Sequence, residues 1–286
     1  MTSVEQVFYV LLCNQVETIF PLADRGFMFQ APAETYDRFV GRYSPALAIA
    51  MRDAAGVRAG QRALDVGCGS GALAQLLAEV LGAENVAAID PSEPFVEATR
   101  GRVPGARVVV GSAESLPFGD DEFDATLSQL VVNFLTDPEQ GLHEMSRVTR
   151  QGGVVAGCVW DYAGEMTMLR TFWDAAAALD PERVEPLMET YTMRFARPEE
   201  LEELWRSSGL GEVDVAAIVV EASYDDFEDL WSPFPTGVGP AGAYAASLGG
   251  EAQAALREEF SRRLGDPEGP FTLSARAWRA VGRVAG

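Results

Sequence analysis

The sequence predicts an α/β fold with a doubly wound, mostly parallel sheet. Short apolar runs alternate with helical stretches from Tyr36 to about Asp161, as expected for strands joined by helical crossovers. One predicted strand enters a glycine-rich turn at 67–71 that opens a helix. Hydrophobic residues make up 48% of the 286 residues, enough for a substantial core. At about 150 residues per domain, this length allows two units or one enlarged α/β domain.

The first half of the chain carries five predicted strands and three predicted helices. Strand–helix alternation favours right-handed crossovers, and ligands of such sheets bind beyond the carboxyl ends of the strands. The residues just after each strand are therefore the candidates for a site. The predicted strands are Arg62–Val66, Val86–Asp90, Ala106–Val110, Phe123–Ser128 and Val154–Trp160, and the predicted helices are Gly71–Leu81, Glu93–Arg102 and Pro138–Arg150.

The last third predicts two further strands and a long segment between them. Residues 225–269 are too long for a simple connection and predict a helical insertion or a lid. The main domain then comprises 29–224 and 270–286, and 1–28 form an N-terminal extension, either dispensable or a dimer contact. The strands are Val213–Ala222 and Phe271–Arg283, preceded by helices at Met166–Leu179 and Pro198–Ser208.

Composition excludes several classes of site. The formal net charge is −21, which disfavours nucleic acid or an anionic membrane surface as a partner. All 22 basic residues are Arg, so mechanisms that need a Lys are excluded. His143 is the single His, and Cys13, Cys68 and Cys158 form no CxxC pair, so no metal site is predicted. We expect a cytoplasmic protein, because Met1–Gln6 lacks the positive charge of a signal peptide.

The turn after the first strand carries the strongest chemical signal. Glycines let a ligand approach the backbone without a Cβ, and a helix start offers N–H donors. The spacing is GxGxG rather than the GxGxxG of dinucleotide sites, and Asp65 lies two residues before Gly67. A carboxylate there suits an ammonium group better than a diphosphate. Asp90, at the end of the second strand, is placed to accept ribose hydroxyls, although an Asp there can also cap the next helix.

Five blocks in this order resemble the class I S-adenosylmethionine-dependent methyltransferases. LDVGCGSG and IDPSEPFVEATR resemble their first two motifs, GSAESLPF and DEFDA the next two, and EMSRV followed by Gly152–Gly153 the fifth. Within that family the chain is most similar to the small-molecule branch of the ubiquinone and menaquinone C-methyltransferases. The resemblance covers residues 35–161 and implies a Rossmann-like, seven-stranded methyltransferase sheet with a helical insertion near the C-terminus.

The resemblance implies a set of cofactor-binding residues for S-adenosyl-L-methionine. Asp65 and the glycine turn would hold the methionine part, and Asp90 the ribose. Ser112 stands where the family usually has Asp, so a contact there to the adenine amine lacks charge assistance. The full set is Tyr36, Asp65, Gly67, Cys68, Gly69, Gly71, Asp90, Pro91, Ser92, Ser112, Ala113, Glu114, Ser128 and Gln129.

Methyl transfer from a sulfonium is an in-line displacement that needs alignment more than a base. Candidates to orient or deprotonate an acceptor are Gln129, Asn133, Asp161 and Tyr162, which follow the fourth and fifth strands; His143 lies inside a predicted helix. Trp231, Phe234 and Tyr244 of the insertion either line an acceptor pocket or form a small core of their own.

The predicted function is transfer of a methyl group to a small, partly apolar acceptor. The sequence leaves open whether the methyl group goes to carbon, oxygen or nitrogen, and whether the protein is a monomer or a homodimer. One alternative is an NAD-dependent oxidoreductase; Asp65 and the missing third glycine of GxGxxG argue against it. The other is a non-catalytic cofactor-binding partner subunit; the intact first motif argues against it.

Overall fold

A computed structural model describes residues 33–286. The N-terminal extension predicted for 1–28 lies outside the described residues. Within them, one seven-stranded sheet has the order β3-β2-β1-β4-β5-β7-β6. The strands are β1 Ala63–Val66, β2 Val86–Asp90, β3 Arg107–Val110, β4 Phe123–Gln129, β5 Thr149–Trp160, β6 Gly211–Tyr224 and β7 Phe271–Arg283.

The sheet is mostly parallel, which confirms the predicted fold class. β1 pairs in parallel with β2 and β4, and β5 extends that pairing on the far side of β4. β7 inserts antiparallel between β5 and β6. Every residue of β1 and β2 is buried, as expected for central strands covered by helices on both faces.

Helices cover the sheet and fill the connections. Pro138 at the first position favours the start of the helix Pro138–Val148, and Asp137 caps that helix by accepting a hydrogen bond from the Gln140 amide at 3.0 Å. The helices are α1 Ala33–Arg38, α2 Ser44–Ala55, α3 Ala72–Leu81, α4 Glu93–Arg102, α5 Pro138–Val148, α6 Thr167–Leu179, α7 Pro181–Val184, α8 Glu189–Thr192, α9 Pro198–Ser207, α10 Phe227–Trp231, α11 Gly239–Ser247 and α12 Gly250–Arg263. Short 3₁₀ turns lie at Val40–Tyr43, Ala83–Asn85, Val132–Phe134, Glu185–Leu187 and Phe234–Thr236.

The predicted boundaries differ from the structure mainly at β5. We predicted a helix up to Arg150 and a strand from Val154, but α5 ends at Val148 and β5 begins at Thr149. The glycine pair 152–153 interrupts the β4–β5 register rather than separating two elements, because pairing with β4 resumes at Val154 after Thr149. The segment between β6 and β7 is helical, formed by α10, α11 and α12.

None of the helices in the described residues has both the length and the apolar character needed to cross a membrane.

The core is one continuous cluster that spans both faces of the sheet and includes the helices between β6 and β7. The carboxyl ends of β1, β2 and β4 thus lie together at one edge of a rigid sheet.

Candidate functional site

The glycine turn after β1 is shaped by backbone hydrogen bonds to β2. The amides of Gly67 and Cys68 both donate to the Ile89 carbonyl, at 2.8 and 3.0 Å. Gly67 has φ +75°, and a Cβ there would lie 2.3 Å from Val131 Cγ2. Gly69 has φ +51°, and nothing lies within 4 Å of its would-be Cβ. The first glycine therefore admits a close neighbour from the chain, whereas the second leaves open space beside the turn.

Asp65 is a buried carboxylate beneath this turn. Its exposed fraction is 1%, and neither oxygen has a hydrogen-bond partner within residues 33–286. Burial raises the pKa of Asp65 to about 7; the nearby backbone N–H of Ala74, which forms no hydrogen bond of normal geometry with the carboxylate, opposes this only in part. A buried carboxylate is costly unless a donor or a positive charge meets it. Asp65 is thus an unsatisfied acceptor at the base of the glycine turn.

Asp90 ends β2 and links the glycine turn to the following loop. One carboxylate oxygen accepts from the Gly69 amide at 3.0 Å, and the other accepts from the Ser92 amide at 2.9 Å. Burial raises the pKa of Asp90, and these two amides oppose the rise. Each oxygen retains acceptor capacity for a further donor. Asp90 therefore holds the turn in shape while its carboxylate faces the cavity beside it.

A cavity of about 710 Å³ lies over the ends of β1, β2 and β4. It contains most of the predicted cofactor-binding residues, brought together by the strand ends. The predicted residues that line it are Tyr36, Gly67, Gly69, Asp90, Pro91, Ser92, Ser112, Ala113, Glu114 and Gln129.

The other four predicted residues do not line this cavity. Asp65 lies beneath the turn, as described. Cys68 is buried with its thiol beside Thr99, and a Cβ on Gly71 would lie 2.8 Å from the Thr99 hydroxyl oxygen. Cys68 and Gly71 thus pack the turn against α4, and the cofactor contacts expected of them stay a prediction. Ser128 is fully buried in β4, and its hydroxyl has no hydrogen-bond partner among the described residues.

An ion-pair network that sequence reasoning missed holds α1 over the turn. Asp37 accepts from the Ser70 hydroxyl at 2.5 Å and pairs with Arg102 at 2.9 Å. The Tyr36 ring packs edge-on against Phe95 of α4, with centroids 5.9 Å apart. Asp37 thereby positions Tyr36 at the cavity wall. Only the tertiary structure brings these three segments of the chain together.

Ser112 and Glu114 form a turn after β3. The Ser112 hydroxyl donates to the Glu114 carboxylate, which also accepts from the Thr136 amide at 3.1 Å. Glu114 therefore joins two loops at the far end of the cavity from the glycine turn. The Ser112 hydroxyl proton is engaged, and its oxygen accepts from the Glu114 amide at 3.2 Å, so one lone pair remains as an acceptor for a ligand.

A second, smaller cavity of about 50 Å³ adjoins the first. Tyr36, Leu130 and Phe134 line both cavities and form a common wall. The insertion between β6 and β7 contributes backbone and small side chains to the second cavity, at Val238, Gly239 and Pro240. The two cavities together offer space for a large ligand and for a smaller group beside it.

The catalytic candidates separate into three positions. Gln129 lines the larger cavity, donates from its amide nitrogen to the Ser44 carbonyl at 3.3 Å, and has no partner for its amide oxygen within residues 33–286. Tyr162 lines the smaller cavity. Asn133 is buried and lines neither cavity; its amide nitrogen donates to the Met193 sulfur at 3.7 Å, and its side chain lies beside the Tyr162 hydroxyl.

Two further polar residues, Asp161 and His143, lie outside both cavities. Asp161 forms an ion pair with Arg276 of β7 at 2.6 Å and accepts from the Glu165 amide at 3.0 Å. These bonds tie the end of β5 to β7, and Asp161 lines neither cavity. His143 is exposed on α5 and lines neither cavity.

The aromatic residues predicted for an acceptor pocket form a packed cluster instead. Phe234 stacks on Phe172 with centroids 4.5 Å apart, and Trp231 stacks on Phe234 at 5.9 Å. Tyr244 packs against Trp173 at 5.6 Å. None of Trp231, Phe234 and Tyr244 lines either cavity. Their packing fixes the insertion to α6, which favours the small-core alternative over the acceptor pocket.

Glu189 is a site residue that the sequence did not single out. It begins α8, is 3% exposed, and lines the smaller cavity. The Trp173 indole N–H donates to its carboxylate. Burial raises the pKa of Glu189 to about 8. No sequence signal marked this position, because it lies in an irregular stretch of short helical turns.

Across residues 33–286, no group of three or more His, Cys, Asp and Glu side chains is arranged to hold a metal ion.

Comparison with known proteins matches the central part of the chain. The family described as "Methyltransferase domain" matches residues 64–157. A demethylmenaquinone methyltransferase of Roseiflexus castenholzii is 30% identical over 168 residues, which are 53% of this chain and 68% of that protein. A malonyl-(acyl-carrier protein) O-methyltransferase of Serratia marcescens is 32% identical over 133 residues, 44% of this chain and 51% of that protein.

The matched part of the chain spans between 34% and 68% of the length of the first four curated relatives. Among solved structures, phosphoethanolamine N-methyltransferase 2 of Haemonchus contortus, in complex with S-adenosyl-L-methionine, is similar with a TM-score of 0.52 at 16% identity. The likeness covers 84% of this chain and 53% of that one. At this identity the structural likeness supports the fold.

Proposed function

We propose that this protein, which belongs to the class I S-adenosylmethionine-dependent methyltransferases of the quinone C-methyltransferase type, transfers a methyl group to a small, partly apolar acceptor. The observation that carries the proposal is the unsatisfied, buried carboxylate of Asp65 beneath a glycine turn whose open side faces the larger cavity. A nucleoside with a positively charged amino acid part supplies a positive charge for Asp65 and a body that occupies the cavity beside the turn.

The residues present fit S-adenosyl-L-methionine. Asp65 would meet the ammonium of its methionine part, and Asp90 would accept the ribose hydroxyls with its remaining lone pairs. The open side of Gly69 admits a ligand close to the backbone. Tyr36 and Phe95 cover the cavity, and Ser112, Ala113 and Glu114 line its far end.

The bound cofactor supplies a methyl group activated by its sulfonium sulfur. The chain contributes positioning, because in-line displacement depends on holding the nucleophile at near-attack distance; good alignment is worth up to about 7–11 kcal/mol. Tyr36, Leu130 and Phe134 line both the cofactor cavity and the smaller cavity, and the acceptor would bind where the two cavities adjoin, with its nucleophile against the methyl group. These mostly apolar side chains would also exclude water from the reacting groups.

The two alternative functions have less support. An NAD-dependent enzyme would place a diphosphate at the turn, but Asp65 puts a carboxylate there and the Gly69 amide donates to Asp90. A non-catalytic subunit has no need of a second cavity, whereas this chain has one that shares a wall with the first.

The identity of the acceptor, a cytoplasmic location and a monomeric or homodimeric state stay predictions that rest on composition and on the relatives. The same holds for the domain limits at 28, 224 and 270.

Calorimetric titration with S-adenosylmethionine, S-adenosylhomocysteine and NAD tests the proposal. We expect the two sulfur nucleosides to bind and NAD not to bind. Asp90→Ala should weaken S-adenosylhomocysteine by about 1.5–3 kcal/mol, the scale of hydrogen bonds to a charged group. Asp53→Ala, an exposed acid on α2, is the matched control and should leave the affinity unchanged. Tight NAD binding without a response to either sulfur nucleoside would refute the proposal.

A further inference from the structure

The turn after β3 holds a serine whose hydroxyl proton is committed to a neighbouring carboxylate. Resting on the proposed function, we propose that Glu114 sets the direction of the Ser112 hydroxyl, and that Ser112 thereby selects a cofactor whose purine carries an amino group over one that carries a keto oxygen at the same place. Ser112 contacts the base, and Glu114 acts through it as a positioning residue.

The far end of the larger cavity is where the base of a bound nucleoside would lie. Asp65 and the glycine turn would hold the amino acid part, and Asp90, which lines the cavity beside the turn, would hold the ribose. A nucleoside held by both groups extends its base away from the glycine turn. Ser112 and Glu114 line the cavity at that far end.

Backbone amides of a second loop hold the Glu114 carboxylate in place. One of its oxygens accepts from the amide of Thr136 at 3.1 Å and from that of Asp137 at 3.5 Å. The other oxygen accepts from the Ser112 hydroxyl. A carboxylate has no proton to offer in return, so the hydroxyl is the donor in that bond. The direction of the Ser112 proton is therefore fixed before a ligand arrives.

With its proton committed, the Ser112 oxygen can only accept a hydrogen bond from a ligand. One of its two lone pairs takes the Glu114 amide at 3.2 Å, and the other is left for the cavity. A hydroxyl that donates to a carboxylate is also a stronger acceptor, because hydrogen bonds in a chain polarise one another. Glu114 thus supplies, through Ser112, part of the negative charge that an Asp at this position would carry.

An obligate acceptor at this place distinguishes two purines. The 6-amino group of adenine donates a hydrogen bond and would pair with the remaining lone pair of Ser112. The 6-oxo group of hypoxanthine is itself an acceptor, so the two oxygens would face each other without a proton between them. A site that is built to pair a polar group rejects the analogue that cannot pair with it. Ser112 therefore favours the adenine nucleoside.

Calorimetric titration of the full chain with S-adenosylhomocysteine and S-inosylhomocysteine tests this selection, because the two ligands differ only at the 6-position and the adjoining ring nitrogen. We expect the wild type to bind the adenine ligand about tenfold more tightly, the scale of one hydrogen bond made against one lost. Ser112 is exposed at the cavity, so Ser112→Ala should fold; it should weaken the adenine ligand but not the inosine ligand. Glu139→Gln, an exposed acid on α5, is the control and should keep the wild-type preference.

Glu114→Gln should reverse the hydrogen bond, which a merely structural role would not do. The amides of Thr136 and Asp137 still need an acceptor, so the oxygen of the new side chain should stay with them and its NH2 group should face Ser112. The Ser112 proton is then free to donate to a 6-oxo group. We expect this variant to lose the preference for the adenine ligand because it binds the inosine ligand more tightly. Ser112→Asp combined with Glu114→Gln puts an obligate acceptor beside that NH2 group and should restore the preference.

The ratio of the two affinities decides the outcome. Equal binding of the two ligands by the wild type overturns the selection, whatever the variants do. A wild-type ratio in Ser112→Ala or in Glu114→Gln overturns it as well, and a double variant that stays without preference reduces Glu114 to a structural residue. Absence of S-adenosylhomocysteine binding by the wild type refutes the proposed function instead, and is distinguishable because no ratio can then be measured.

Discussion

Replacement of Asp65 by Asn should stabilise the protein and weaken its hold on the cofactor. The rise in the pKa of Asp65 from 3.8 to about 7 corresponds to about 4 kcal/mol, since each tenfold change in proton affinity is about 1.4 kcal/mol. The folded state binds the proton more tightly than the unfolded chain. Stability therefore falls as the pH rises from about 4 to about 8, and Asp65 is most costly above that range.

The Asn side chain removes the charge but leaves a buried amide without partners, which costs about 1–3 kcal/mol. We therefore expect Asp65→Asn to raise the free energy of unfolding by about 1–3 kcal/mol at pH 8 and to give no gain at pH 4. Urea unfolding at both pH values measures this difference. S-adenosylhomocysteine should bind the variant about tenfold to a hundredfold more weakly, because a charged contact to its ammonium is lost.

Asp124→Asn is the control with the opposite sign. The Arg62 amide and Arg150 hold the pKa of Asp124 below its usual range, so its carboxylate stabilises the fold at neutral pH. This variant should lose stability at pH 8 and bind S-adenosylhomocysteine normally. If Asp65→Asn shows the wild-type dependence of stability on pH, or the wild-type affinity for S-adenosylhomocysteine, the reasoning about this buried carboxylate is wrong.

Two further pairs of substitutions separate the turn from the insertion. Gly67→Ala should lower stability by about 2–4 kcal/mol because its Cβ would lie 2.3 Å from Val131 Cγ2. Gly69→Ala should lower stability by only about 1 kcal/mol, because of its φ of +51°, but should weaken the binding of S-adenosylhomocysteine. Thermal melts with and without that ligand measure both effects. Equal destabilisation by the two would argue against this turn geometry. Trp231→Ala and Tyr244→Ala should cost about 3–5 kcal/mol from the aromatic cluster and leave S-adenosylhomocysteine affinity within about 0.5 kcal/mol. A variant that melts normally alone but shows no shift with that ligand would place the insertion over the cofactor.

Most of the cofactor-binding residues predicted from the sequence line one cavity, because their placement depends on local order. Asp90 ends β2 and Ser112 lies two residues after β3, and the topology of a parallel sheet brings strand ends to one edge. Periodicity identified the strands, and the spacing of glycines marked the turn. What spacing could not tell was which glycine faces a ligand, since Gly71 packs against Thr99 and Gly69 faces open space.

The residues predicted for the acceptor side do not share one cavity, because their placement depends on tertiary contacts. Trp231 and Phe234 are apolar enough for either a pocket or a core. They pack in a core because Phe234 stacks on Phe172 of helix α6, which is distant in the sequence, and Trp231 stacks on Phe234. Glu189 reads in the sequence as an ordinary surface acid. It is buried because α6 and the insertion close around it, and nothing in the local sequence carries that information.

The placement of β7 between β5 and β6 has a consequence for how the chain folds during synthesis. β7 leaves the ribosome after every other strand of the described sheet, yet β6 pairs with β7 and β5 pairs with it on the other side. The β5–β7 pairing joins residues such as Val154 and Arg283, a contact of high sequence separation that forms slowly. Until it forms, the nascent chain exposes an unpaired edge on β5, and β6 has no partner. Chaperone engagement should therefore concentrate in the interval between synthesis of β6 and emergence of β7.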